Sequence, residues 1–330
     1  MEKIKAAIIG LGRIASLLEE DILREKPCTH AGAISANEGC VLSAGCDTDE
    51  ERRRLFAQKW QVPVYADAAQ MLEIHKPDIL VIATHPDSHW RYCSLAAKMK
   101  IPVIICEKPL AGKISHARRI ARLAAGKDGT VIITNHERRY SADYIRAKAI
   151  LEEQRLGKLL SARAVLYMGK NRRLIDQFWH DGTHLADILM FLTNSALRHK
   201  RQRGAKLTSR NGTAWLEGEL TNAQNKIQTI IELGAERDHL VFEIGFSCEK
   251  GRLRIGNGVF EVWESLPSPY AQQFRSLKNT GETFSGPTGY FANMLQDAVS
   301  CVKDPRRTPV SGAIDGLRVI EYLNSVKRWK

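Results

Sequence analysis

A short apolar run, Ile4 to Ile9, passes directly into Gly10-Leu11-Gly12-Arg13-Ile14-Ala15. Nothing else in the chain constrains its fold so tightly. An unbroken apolar run of that length is what an interior parallel strand needs. Gly10 permits the tight turn after it, Gly12 lets backbone approach a pyrophosphate, and small Ala15 lets a following helix pack on the strand. The free N–H groups and positive dipole end of that helix then face an anion. The expectation is a dinucleotide site at the start of the chain, with Gly10, Gly12, Arg13 and Ile14 in its phosphate loop and a helix opening there.

Apolar strand-like runs recur at Val41–Cys46, Val62–Tyr65, Ile79–Thr84, Val103–Cys106 and Val131–Thr134, with helical patterns at Glu50–Lys59, Ser88–Met99 and His116–Ala125. Strand–helix alternation predicts a doubly wound parallel sheet over residues 1–135, with helices on both faces. Ligands of such sheets bind outside the carboxyl ends of the strands. After about residue 136 the pattern changes. Ser141–Gln154 and Asp181–Leu192 read as helices. Leu160–Met168, Ala214–Leu220, Ile227–Leu233, Leu240–Phe246, Arg252–Ile255 and Val259–Trp263 read as strands, the last two joined at Asn257-Gly258, a strong hairpin signal. This predicts a second, α+β domain over 136–311 with a mainly antiparallel sheet. Pro267–Pro287 reads as a loop-rich crossing, Phe291–Val302 as a helix of that domain, and 312–330 as a closing helix that packs back on the first.

The 330 residues carry 49 Lys+Arg against 37 Asp+Glu, a net charge of +12. The basic residues stand mostly in scattered pairs. The one dense run, Arg198-His199-Lys200-Arg201-Gln202-Arg203, reads as a solvated loop, and no zinc-finger or RNA-binding signature accompanies it. No nucleic-acid partner is expected. The seven cysteines are odd in number and lack a C-x-x-C pair, which predicts buried thiols in a reducing compartment. The N-terminal apolar run ends in glycines, and no run approaches the length of a membrane span. A cytoplasmic protein without membrane partners is the expectation.

Candidate chemistry gathers after the strands. Asp47 ends the second strand, where a carboxylate accepts hydrogen bonds from an adenosine ribose and repels a 2′-phosphate. That favours NAD, although Arg52 to Arg54 leave NADP open, and a helix N-cap is the other reading of Asp47. It stands well beyond the roughly 20 residues usual after the fingerprint. The excess, around Glu19 to His30, reads as an inserted loop. Thr84-His85-Pro86-Asp87-Ser88-His89 follows the fourth strand and Glu107-Lys108-Pro109 the fifth. A lysine at a buried strand end is costly unless used. His180-Asp181-Gly182-Thr183-His184 places two imidazoles and an acid at a helix start, on one face if that helix already includes residue 180.

Together these segments resemble the glucose–fructose oxidoreductase / inositol dehydrogenase / rhizopine-catabolism (Gfo/Idh/MocA) family. The resemblance rests on Gly10–Ala15, Thr84–His89, Glu107-Lys108-Pro109-Leu110, Asn135–Tyr140, Gly182-Thr183-His184 with Asp187, and Asp315-Gly316-Leu317. It implies a Rossmann domain and an α/β domain whose open-faced sheet mediates oligomers, so a homodimer or homotetramer. It also implies NAD(P)-dependent chemistry at a hydroxyl carbon of a sugar, cyclitol or sugar derivative. Carried over, Lys108 holds the reacting oxygen and touches the nicotinamide ribose of the cofactor, and His184 is the general acid/base. Glu107 and Pro109 shape the cofactor wall, Thr84, Pro86 and His89 line its groove, and Asn135 sits near the nicotinamide. Arg138 and Tyr140 face the substrate. Many relatives have an aspartate where His180 stands. Either His180 takes its place as a substrate partner, or Asp181 supplies the carboxylate from a shifted register, or catalysis is lost. A metal held by His180, Asp181 and His184 is a further reading, but Lys108 already supplies the charge an alkoxide needs, so no metal is expected.

Two functions follow from the sequence. In the first, a polyol or sugar, anionic if Arg172 and Arg173 face it, is oxidised by NAD through Lys108 and His184, with Tyr167, Gln177 and Trp179 along the pocket. In the second, the same scaffold is a non-catalytic NAD(P)- or metabolite-sensing regulator, for which the His180 departure and the basic run speak.

Overall fold

Residues Ile4–Ile9 form β1, whose last four side chains are buried. The computed structural model describes residues 2–125, 130–168, 172–223 and 225–328. After β1 come α1 (His30–Ala36), β2 (Cys40–Cys46), α2 (Glu50–Trp60), β3 (Val64–Tyr65) and α3 (Ala68–His75). They are followed by β4 (Ile79–Ile82), α4 (His89–Lys98), β5 (Val103–Cys106), α5 (Ile114–Ala124) and β6 (Val131–Thr134). The six strands pair in parallel in the order β3-β2-β1-β4-β5-β6. That order reverses direction between β1 and β4, the switch point at which a doubly wound sheet opens a crevice for a ligand. β4 and β5 are buried along their whole length. A strand covered on both faces reads as a continuous apolar run, which is why the sequence exposes it so plainly.

The helix expected to open at Gly12 is different. One irregular turn forms, with the Ser16 N–H donating to the Gly12 carbonyl at 3.1 Å, and then a 3-10 turn over Leu17–Glu20. The chain leaves, and returns at α1. There the His30 and Ala31 N–H groups donate to the carbonyls of Ile14 (3.2 Å) and Ala15 (2.9 Å). Thus α1 takes up the acceptors that the first turn left open. The intervening residues are an insertion inside the fingerprint helix. Its neck is closed by Glu19, whose carboxylate accepts from the Cys28 N–H (3.2 Å) and the Thr29 hydroxyl (2.6 Å). Thr29 in turn caps α1 by accepting from the Gly32 N–H.

The second unit opens with α6 (Ala142–Glu152), β7 (Leu159–Tyr167), α7 (Leu174–His180) and α8 (Gly182–Thr193). Seven strands follow: β8 (Ala196–Gly204), β9 (Thr213–Thr221), β10 (Lys226–Gly234), β11 (Val241–Cys248), β12 (Gly251–Gly256), β13 (Val259–Pro267) and β14 (Arg275–Asn279). The eight-stranded sheet runs β14-β13-β12-β11-β7-β10-β9-β8 and is antiparallel except where β10 lies parallel to β7. Helices α6, α7 and α8 pack against it. Alternating burial along β9, β10 and β11 gives each strand one buried and one more exposed face.

Two elements overturn the loop readings. The basic run 198–203 lies in β8, an edge strand, and its neighbour β9 sets two glutamates against its four Lys and Arg side chains. Arg198 pairs in register with Glu219 and Arg201 with Glu217. Lys200 is ion-paired with Glu219, and Arg203 Nε lies 2.7 Å from Glu217 Oε1. A run of cations becomes a strand because the adjacent strand supplies the opposite charges. The segment 267–287 likewise contains β14.

The chain then forms α9 (Tyr290–Lys303) and α10 (Ala313–Arg328). The domain division expected at 135 and 311 shifts accordingly. One compact unit holds residues 1–141 and 287–320, the other 142–286 and 321–330. Helix α9, assigned by sequence to the second domain, joins the first because Phe291, Met294, Leu295, Ala298 and Val299 belong to one core with Ala6, Ile8, Val81, Val103 and Ile105. The insertion helps to fix it. Glu25 accepts from the N–H and hydroxyl of Thr288 (both 2.8 Å) and from the Gly289 N–H (2.7 Å) at the start of α9. A carboxylate there meets otherwise unsatisfied donors.

Candidate active site

The carboxyl ends of β1, β2 and β4 enclose a cleft of about 330 Å³ lined by Gly10, Asp47, Thr48, Arg52, Thr84, His85 and Tyr92, among others. Gly10 has φ +90°, and a Cβ there would stand 2.7 Å from the Ala83 carbonyl. Only glycine fits both the turn and the approach. At Gly12 a Cβ would meet nothing nearer than Arg52 Nη1 at 3.9 Å, so its backbone lies open to a ligand. Arg13 is exposed and Ile14 partly buried beside it.

Asp47 is buried at the end of β2. Its Oδ2 accepts from the Leu11 N–H (2.8 Å) and its Oδ1 from the Asp49 N–H (3.0 Å). The cap of α2 is Asp49, whose side chain accepts from the Arg52 N–H, so the N-cap reading of Asp47 does not hold. Asp47 instead fastens β2 to the glycine loop and keeps lone pairs for a further donor. Arg52 Nη1 stands 3.7 Å from Asp47 Oδ2.

The loops after β4 and β5 are tied together by His89, which is fully buried. Its Nε2 lies 3.0 Å from the Thr84 carbonyl and its Nδ1 3.3 Å from that of Leu110. Desolvation holds its pKa below the usual histidine value despite these acceptors, so one nitrogen carries the proton at neutral pH. Thr84 Oγ1 and Ser88 Oγ share a hydrogen bond of 2.7 Å, and the Pro86 carbonyl accepts from the Gly112 N–H.

Beyond them stands a buried carboxylate. Glu107 Oε1 accepts from Asn135 Nδ2 (2.5 Å) and lies 2.8 Å from His30 Nε2, while its Oε2 accepts from the Lys108 backbone N–H (3.3 Å). Burial alone raises the pKa of such a group. The hydrogen bonds from His30 and Asn135 and the nearby Lys108 charge outweigh it and hold Glu107 below the ordinary glutamate range. Lys108 and Pro109 follow at the rim, both partly exposed. His30 is the participant sequence reading missed. It sits in the inserted segment, far from Glu107 along the chain, and carries no motif. Tyr92, on α4, also escaped notice. Tyr140, expected to face substrate, is buried with its hydroxyl donating to Asp297 Oδ2 (3.0 Å), a link to α9. Arg138 pairs with Glu137 at 2.8 Å.

In the second unit α7 ends at His180 and α8 begins at Gly182. Asp181 between them keeps helical backbone and bonds back through its N–H to the Gln177 carbonyl at 2.8 Å, and Gly182 packs so closely on Phe178 that a Cβ there would lie 2.5 Å from its ring. His180 is thus the last residue of α7, and His184 stands four residues on in α8, with the single helical residue Asp181 before α8 begins. His184 is buried in the first turn of α8, with Asp187 buried below it. The His180 side chain is 64% exposed, with Nδ1 3.0 Å from Asp181 Oδ1. Gln177 is fully buried, and Trp179 carries the Lys327 ammonium 5.7 Å above its ring. Among the described residues, no three His, Cys, Asp or Glu side chains gather as a metal site would require.

Residues 4–135 match the family described as an oxidoreductase family with an NAD-binding Rossmann fold. Over that segment the chain is similar to the Gfo/Idh/MocA oxidoreductases. This is an NAD-binding oxidoreductase fold, and the open glycine backbone with Asp47 at the cleft suits that cofactor. The chain is 25% identical over 91% of its length to the inositol 2-dehydrogenase/D-chiro-inositol 3-dehydrogenase of Shouchella clausii, covering 91% of that protein. It is 26% identical over 60% of its length to the D-apiose dehydrogenase of Paraburkholderia graminis, covering 52% of it. Its fold matches that of an oxidoreductase from Agrobacterium radiobacter, solved with NAD+, L-tartaric acid and magnesium. The TM-score is 0.72 at 19% identity, over 99% of this chain and 97% of that one.

Proposed function

We propose that the protein is a dehydrogenase that moves hydride between NAD and a secondary hydroxyl carbon of a sugar, cyclitol or sugar derivative. The observation that carries this reading is Lys108, placed at the carboxyl edge of an NAD-binding sheet beside a buried, ionised Glu107. A lysine on that edge is where a reacting oxygen needs a positive partner. Bound NAD supplies the hydride acceptor. Lys108 polarises the substrate oxygen and stabilises the alkoxide as it develops. His184 takes the hydroxyl proton as the carbon–hydrogen bond breaks, leaving a ketone. Asp47 receives the adenosine ribose and disfavours a 2′-phosphate. The relatives named for inositol and D-apiose support a polyhydroxylated substrate. The basic run lends the sensor alternative less weight, since Lys200 and Arg203 are ion-paired with the two glutamates of β9.

The test is NAD reduction with a panel of cyclitols, sugars and nucleotide sugars. Lys108→Ala and His184→Ala should each lower turnover about 10²- to 10⁴-fold, with NAD affinity nearly unchanged. A variant that turns over like the parent removes that residue from the mechanism. Silence with every compound, despite NAD binding, favours the sensor.

A further inference from the structure

We propose that His30 is a positioning residue for the nicotinamide end of the dinucleotide site: through Glu107 it fixes the Asn135 amide so that Asn135 Oδ1 stays available to a donor on that half of the cofactor. The inference rests on the reading above, in which Lys108 meets the reacting oxygen, and on the resemblance, which implies that Asn135 lies near the nicotinamide.

Four observations carry it. First, His30 reaches across the sheet. It begins α1, in the connection after β1, whereas Glu107 ends β5, and β4 lies between those two strands. Its Nε2 nevertheless stands 2.8 Å from Glu107 Oε1, with both side chains buried. Second, the ring is held from behind. Phe291 of α9 meets it edge-on, with centroids 5.1 Å apart at 80°, and Glu25 of the insertion fastens the start of α9. The inserted segment and α9 thus set the imidazole's direction. Third, Glu107 settles the orientation of Asn135. An ionised carboxylate only accepts, so the amide nitrogen must face it at 2.5 Å and the amide oxygen must face away. Fourth, that oxygen, Asn135 Oδ1, is buried and has no hydrogen-bond partner among the described residues. A buried, unsatisfied acceptor whose direction is fixed by two other side chains is a site awaiting a donor.

The role differs from a generic structural one in which half of the ligand it serves. Binding of NADH is compared with binding of ADP-ribose, which lacks the nicotinamide, by titration calorimetry. The variants are His30→Leu, which keeps volume without a donor, and His30→Gln, which keeps a nitrogen donor near the Nε2 position. His30→Leu should weaken NADH about tenfold, roughly the value of one charge-assisted hydrogen bond, and leave ADP-ribose within about twofold. His30→Gln should restore most of the NADH affinity. Asn135→Ala should reproduce the selective loss. If His30→Leu does not fold, His30→Asn, too short to span to Oε1, is scored in its place. A variant that binds NADH like the parent, or loses both ligands equally, overturns the inference and leaves the cofactor reading standing. A parent that binds neither ligand overturns both.

Discussion

Glu107 in the first unit and the glutamates of β9 in the second both face basic partners, yet they do different work. Glu217 and Glu219 match a row of exposed cations on β8, an edge strand in water. Such pairs are screened and cost side-chain entropy, so they add little stability. Glu107 is one carboxylate, buried, with each oxygen committed to a named donor. Removing a buried charge's partners leaves a desolvated group without compensation. The contrast teaches that the chain's large excess of cations says less about its chemistry than one hidden acid. The dense basic run is a way of finishing a sheet edge. The acid ties the ends of β5 and β6 to the start of α1.

The sharpest way to break this contrast is Glu107→Ala. It strands His30 and Asn135 in the interior, and a loss of about 3–5 kcal/mol is expected, read as a fall in denaturation midpoint with NADH binding lost alongside. The effect has a pH signature. The folded pKa of Glu107 lies below its unfolded value, so its contribution is present above the ordinary glutamate range and fades as pH falls through the folded value. The gap in stability between the parent and Glu107→Gln should therefore narrow on acidification. A gap that stays constant down the acid limb would mean the carboxylate is not ionised in the fold.

Gly10→Ala is the next effect in size. The residue would sit at φ +90° with its Cβ 2.7 Å from the Ala83 carbonyl. A cost of about 1–3 kcal/mol follows, and binding of ADP-ribose should weaken together with that of NADH, unlike the His30 variants. Full ADP-ribose affinity in Gly10→Ala would show that the glycine loop is not where the adenosine half binds. The smallest effect belongs to the edge strand. Lys200→Ala with Arg203→Ala should leave the melting temperature and turnover unchanged within measurement, and a clear loss of either would return the basic run to the list of functional features.

The first unit was legible because its central strands β4 and β5 are buried on both faces. Continuous apolar runs such as Ile79–Ile82 and Val103–Cys106 have no rival reading as loops, and the ligand edge follows from their order. Two kinds of feature escaped. One is set by partners remote in sequence: His30 gains its meaning from Glu107, and β8 from the glutamates of β9, which no local pattern reports. The other is set by packing. Gly182 lies so close to the Phe178 ring that no Cβ fits there, and the short helix α7 that carries Phe178 was not read from the sequence at all. The inserted loop was visible as excess spacing before Asp47, but the resumption of the helix at His30 was not, because it depends on the carbonyls of Ile14 and Ala15 being left open.

The most direct measurement follows the hydride itself. A polyol substrate found in the panel is prepared with deuterium on its reacting carbon and incubated with the protein and NAD, and the cofactor is analysed by mass spectrometry. The account predicts one deuterium on the reduced nicotinamide per ketone formed, with the rate of its appearance collapsing in Lys108→Ala. Reduced cofactor carrying no deuterium, or labelling that continues undiminished in that variant, would contradict it.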